Sequence, residues 1–285
     1  MAYLALLAQT AISAGTYLLA KRALEELRPL ELGWLRFVAA AAIYVAILFA
    51  TRTPAIPPRG SRKRAIVLGV IAVPLNQGLF LSGLALSTPS HAAILYALTP
   101  ACVLLGARIL LGEPISGARF AGIGIAFSGA AALLLERGLA AAREPLVGDL
   151  LLFGAVLAWA AYTVGTRPMA RTHGALAATS WALLAGTVVA APFGPWVVRA
   201  PRELAGVSAT GWAGLAYLVV LTSVVAYLLW AFALQRLEAA KVAVFTNLQP
   251  VATALLSYAV FGEKMTAVAI GAGVLVLVGV TLAQR

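Results

Sequence analysis

Cysteine occurs once, at Cys102, and histidine twice, at His91 and His173. An intrachain disulfide and a multi-cysteine metal site are therefore excluded. Acidic residues are also scarce, ten in 285, and none falls near the middle of an apolar segment. Proton relays and cation sites in membranes place a carboxylate there, so proton coupling has little support, and facilitated diffusion or exchange of a neutral or zwitterionic solute fits at least as well. No Walker A loop, His-Glu-x-x-His motif or nucleotide loop occurs, which argues against ATP-driven transport by this chain alone. No cofactor or metal is expected. No basic region precedes the first apolar segment and no small-residue cleavage signal follows it, so it reads as a retained helix.

Apolar residues are abundant. They make up 62% of the chain against 11% charged, and the mean hydropathy is +0.96. A soluble domain of this size could not hide that much apolar surface. Segments long enough to cross the bilayer as helices recur at approximately 2–20, 30–50, 65–86, 90–111, 120–135, 150–166, 175–197, 212–234, 239–261 and 267–283. The expectation is an all-α integral membrane protein of ten transmembrane helices, with lipid as its solvent and no room for a separate soluble domain.

The net charge of +11 does not point to nucleic acid, because the basic residues lie in short connections rather than on one face. On alternate sides of the membrane, twelve of the 21 fall with the N-terminus and eight opposite, with Arg36 inside a helix. The positive-inside rule then places both termini in the cytoplasm.

Leu98, Pro100, Gly112 and Glu113 match Leu248, Pro250, Gly262 and Glu263 at a constant offset of 150 positions, and Gly129 and Gly279 keep it. Such a period marks a duplication, with repeats at 1–139 and 146–285 joined through 136–149. Five helices per repeat is an odd number, so the halves are inverted, an arrangement that suits alternating access. The Gly-Glu after a proline-bearing helix in each half, the glycine-rich helix that follows, and Leu35-Arg36-Phe37 resemble the drug/metabolite transporter superfamily in its EamA-type branch. Within it the chain is most similar to amino-acid and metabolite exporters of the YddG kind. That resemblance implies a secondary transporter in a bacterial inner membrane, with helices five and ten peripheral. The competing reading is an intramembrane enzyme acting on a lipid-linked substrate, which would need clustered acids, histidines or a metal.

Pro74, Pro100 and Pro250 fall near the middles of helices three, four and nine, where each frees a backbone carbonyl or merely kinks the helix. Asn76 and Gln77 follow the first, and Asn247 and Gln249 flank the last. Amides at that depth pair with other helices or face a cavity. Tyr17, Tyr96, Trp159, Tyr162 and Tyr227 add deep rings with polar handles. These nine residues are the candidate lining of a cavity for a small organic solute carrying apolar and hydrogen-bonding groups, an amino acid or similar metabolite. Arg36 could attract a carboxylate, but snorkelling or an intramolecular partner is favoured. Glu113 and Glu263 read as loop caps. The glycines of helices five and ten could pack within the fold or between protomers of a homodimer.

Overall fold

The computed structural model describes residues 1–111, 116–139 and 143–283. Gly112 and Glu113, singled out above, lie outside the described residues.

Among the described residues nine helices are long and apolar enough to cross a membrane. They are α1 (Ala2–Ala23), α2 (Pro29–Ala50), α3 (Arg59–Leu86), α4 (Pro89–Ile109), α5 (Gly117–Glu136), α6 (Arg143–His173), α7 (Ala175–Val197), α8 (Ala209–Arg236) and α9 (Ala239–Phe261). A shorter apolar helix, α10 (Ala267–Ala283), follows. Helices satisfy every backbone polar group within the segment, as hydrocarbon requires. Their ends carry ordinary stop signals. Pro29 and Pro89 open α2 and α4, where a missing N–H costs nothing. Ser208 accepts from the Gly211 amide at the start of α8. Gly174 and Gly262 take positive φ after α6 and α9.

Three sequence boundaries are corrected. The third helix begins at Arg59 rather than 65, because the basic run 62–64 continues the helix. The sixth begins at Arg143 rather than 150, and so takes in Asp149, assigned above to the connection, and it runs on through Pro168 to His173 rather than ending at 166.

Four helices depart from α geometry in mid-course. In α3 the stretch Ile71–Gln77, containing Pro74, widens to a π-helix. In α8 the stretch Leu218–Ala226 does the same without a proline. There Ser223 Oγ donates to Leu218 O at 2.9 Å, and Tyr44 of α2 donates to Ser223 O at 2.8 Å, so side chains satisfy carbonyls that the wider turn releases. In α4 a turn at 97–98 precedes Pro100, and Thr99 Oγ1 donates to Tyr96 O at 2.6 Å. In α9 a 3₁₀ stretch, Val244–Leu248, precedes Pro250, and Thr246 Oγ1 donates to Ala243 O at 2.7 Å.

Glycines set two close helix contacts. A Cβ on Gly69 of α3 would lie 2.5 Å from the Gly186 nitrogen of α7. On Gly122 of α5 it would lie 2.7 Å from Gly279 O of α10, and on Gly129 2.7 Å from Ala272 O. The glycines of α5 and α10 thus pack the two helices against each other within the chain, as small residues do in membranes.

At one end of the bundle the connections are tied by polar contacts. Lys21 Nζ donates to Leu84 O, Ala85 O and Ser87 O at 2.9, 3.0 and 2.7 Å, capping the end of α3. The buried Glu31 carboxylate receives Arg199 Nε at 3.0 Å and its amide at 2.9 Å. Glu26 accepts from the Ser208 amide and hydroxyl, both at 2.6 Å, which holds its carboxyl below the usual range. His91 Nδ1 lies 2.9 Å from Asp149 Oδ2, and Ser87 donates to the same carboxylate. Glu31 and Asp149 are fully buried near helix ends.

Candidate functional site

α1, α2, α3, α4, α6, α8 and α9 line a partly open cavity whose empty space, open solvent included, is about 560 Å³. Among the described residues none from α5, α7 or α10 lines it. Two aromatic walls face it. Tyr17 of α1, Phe80 of α3 and Tyr96 of α4 meet edge to face with centroids 5.7–5.9 Å apart. Across from them, Trp159 of α6 stands 5.2 Å from Tyr227 of α8, with Trp230 at 5.5 Å behind. Edge-to-face packing fixes ring orientation, so the walls present defined faces rather than mobile side chains.

Amides and one guanidinium bridge the walls. Asn76 Nδ2 donates to Ala155 O at 2.7 Å and to the Tyr96 hydroxyl at 3.2 Å. Gln77 Nε2 donates to Asn76 Oδ1 at 2.5 Å and to the Tyr227 hydroxyl at 3.4 Å. Gln77 Oε1 accepts from Arg36 Nη1 at 2.6 Å, and Arg36 Nε donates to Ser223 Oγ at 2.6 Å. Tyr17 donates to Gln249 Oε1 at 2.8 Å, joining α1 to α9. The π turn of α3 carries Asn76 and Gln77, and the π turn of α8 carries Thr222 and Ser223. Both widened segments therefore deliver polar groups to one seam, at a depth where each must be paired.

Of the nine sequence candidates, Tyr17, Asn76, Gln77, Tyr96, Trp159, Tyr227 and Gln249 line this cavity. Tyr162 does not. Its ring stacks on Trp159 at 5.4 Å and 27° and stands 5.8 Å from Tyr227, so it supports two lining rings. Asn247 is also absent from the lining, because the 3₁₀ stretch turns Thr246 and Gln249 inward instead. Gln9, Ser13, Thr16 and Thr222 line the cavity and were not singled out, although the first three recur at i, i+4 and i+7 on one face of α1. Arg36 is 1% exposed, so it does not snorkel; it has the intramolecular partners that were the other expectation. A second, largely apolar hollow of about 710 Å³ between α2, α3 and α7 shares Gln77 with the first.

An all-helical apolar bundle with a cavity lined by rings, amides and hydroxyls from seven of its helices is the architecture of a multi-pass membrane protein of the transporter kind. The chain belongs to the EamA-like transporter family, whose model matches residues 1–135 and 146–284. It is 29% identical to the uncharacterized transporter YyaM of Bacillus subtilis over 99% of this chain and 93% of that one. It is 31% identical to a "Probable terminal-alkyne amino-acid exporter" of Streptantibioticus cattleyicolor, over 68% of this chain and 63% of that protein. A solved crystal structure superposes with a TM-score of 0.69 at 21% identity, covering 99% of this chain and 95% of its own. That likeness bears on the fold alone. The family and the relatives' names point to transport rather than to an intramembrane enzyme.

Proposed function

We propose that the chain is a secondary transporter that exports small organic metabolites, amino acids with neutral or aromatic side chains among them, by alternating access through this cavity. The carrying observation is the cavity itself, a chamber of rings and amides lined by both halves of the chain. The inverted arrangement of ten spans, 1–139 against 146–285, is part of the same reading. Three features support it: the offset of 150, the family model's match to two consecutive stretches, and the paired π and proline breaks. At 1.5 Å per residue the 17 residues of α10 reach about 26 Å, close to the thickness of a thin hydrocarbon core. A bacterial inner membrane with both termini cytoplasmic completes the proposal.

Among the described residues no carboxylate lines the cavity, so the transported charge is that of the solute. Expression in bacterial cells loaded with a dipeptide tests this. Release of the liberated amino acid should rise, and a reporter fused after the last residue should be cytoplasmic. Unchanged release of every amino acid tried refutes the substrate class, and an external reporter refutes the topology.

A further inference from the structure

Among the described residues lining the cavity there is one formal charge, and it is positive. Arg36 is 1% exposed and sits about two turns inside α2. Among the residues lining the cavity there is no Asp or Glu, and among the described residues no carboxylate pairs with Arg36. Its partners are all neutral: Ser223 Oγ at 2.6 Å, Gln77 Oε1 at 2.6 Å, and the Phe37 ring with its centroid at 5.0 Å. A buried cation is costly unless paired, and two neutral hydrogen bonds offset only part of that cost. They occupy Nε and Nη1, while the guanidinium carries five N–H groups in a rigid fork, so donors on Nη1 and Nη2 have no protein acceptor. Ser223 and Gln77 hold the plane of that fork fixed.

The cavity also offers the complementary group. Gln9 Nε2 donates to Ser13 Oγ at 2.8 Å, whereas Gln9 Oε1 is buried with no hydrogen-bond partner. It is a neutral acceptor lining the same chamber.

We infer that Arg36 is the receptor for a solute carboxylate, gripped by the free side of the guanidinium fork, with Gln9 Oε1 available to an ammonium on the same solute. The inference rests on the reading of the cavity as the transport site. A single guanidinium matches one planar, singly charged carboxylate. A phosphate dianion would need a second cation, and the lining supplies none. Binding of a carboxylate would pair the buried charge, so the loaded cavity is neutral at this position and the empty one is not.

The test uses the full chain in proteoliposomes, with counterflow of labelled L-phenylalanine, 3-phenylpropionate, L-phenylalaninamide and 2-phenylethylamine, each also measured as a competitor. Both carboxylates should exchange, and loss of the carboxylate should weaken competition roughly 10- to 150-fold, the worth of a hydrogen bond to a charged group. Arg36→Gln should erase that preference, and Arg36→Lys should restore part of it. Gel filtration reports whether the variants fold, and the analogue ratio of the unmodified protein decides the matter if they do not. Equal handling of phenylalanine and its amide overturns the inference, as does a folded Arg36→Gln protein that keeps the preference. Exchange of 3-phenylpropionate without phenylalanine upholds the role of Arg36 and refutes amino acids as substrates. Exchange of the amine alone refutes the role of Arg36 and leaves transport standing. Exchange of none of the four refutes both.

Discussion

The two halves of the chain share a backbone plan and differ in what they hang on it. Each half has a π-widened third helix and a loosened turn before a mid-helix proline in its fourth. At the matched positions, 150 apart, Gln77 faces Tyr227, Asn76 corresponds to Ala226, and Tyr96 to Thr246. The first half thus brings the guanidinium, a three-ring wall and three of the amides, and the second brings the indole of Trp159, the Tyr227 hydroxyl that Gln77 reaches and the amide of Gln249. The difference teaches that geometry and chemistry are carried by separate positions: proline, glycine and small hydroxyl residues shape the helices in both halves, while the solute-facing side chains have diverged.

The sharpest way to break that comparison is to attack the shared scaffold. Gly129→Leu and Gly279→Leu should each abolish recovery of monodisperse protein, since a Cβ at Gly129 already lies 2.7 Å from Ala272 O and one at Gly279 2.7 Å from Gly122 O. Equal loss from both halves is expected; normal folding of either variant would show that the close packing of α5 and α10 is dispensable.

The divergent side chains should behave unequally. Asn76→Ala and Trp159→Ala should each leave folded protein and lower solute affinity by about 5- to 150-fold, the worth of about 1 to 3 kcal/mol of lost hydrogen bond or ring contact. Asn247→Ala should change affinity less than about 2-fold, because its side chain is outside the cavity lining. Isothermal titration of the three variants ranks them, and an Asn247 effect as large as that of Asn76 would contradict the placement of the lining.

A smaller effect is expected from protons. An imposed pH gradient should not drive concentrative uptake, since among the described residues no carboxylate lines the cavity and the His91–Asp149 pair lies at the bundle end. Concentrative uptake driven by that gradient and abolished by Asp149→Asn would reassign the pair as a coupling site. The smallest effect belongs to Glu26. Its pKa is depressed in the folded state, so the tie to Ser208 is fully present above the unfolded value and is lost as pH falls through the folded one. The protection factor of the Ser208 amide, the exchange rate of an unstructured peptide at the same pH divided by its own, should therefore fall in acid, and Glu26→Gln should remove that dependence.

Much of this was legible in the sequence because apolar run length and proline position are local properties. Pro74 drew notice to Asn76 and Gln77, and Pro250 to Gln249. Asn247 was misplaced because residues advance about 120° per step in a 3₁₀ turn against about 100° in an α-helix, so the facing side cannot be extrapolated through it. The intramolecular partner expected for Arg36 is present, but its identity is not legible, because Ser223, 187 positions away, is presented by a π turn with no proline to announce it. Asp149 sits in a stretch whose composition reads as a connection, and only His91 and Ser87 across the bundle explain its burial. Gln9, Ser13 and Thr16 were readable from their spacing alone.

The account stands on the cavity being the route of the solute. Counterflow of labelled neutral amino acids in proteoliposomes, comparing the unmodified chain with Trp159→Ala and Asn76→Ala at matched protein density, tests that most directly. The prediction is exchange well above empty vesicles for at least one amino acid, with a raised half-saturation in both variants. Exchange that is identical in all three proteins would place the route elsewhere.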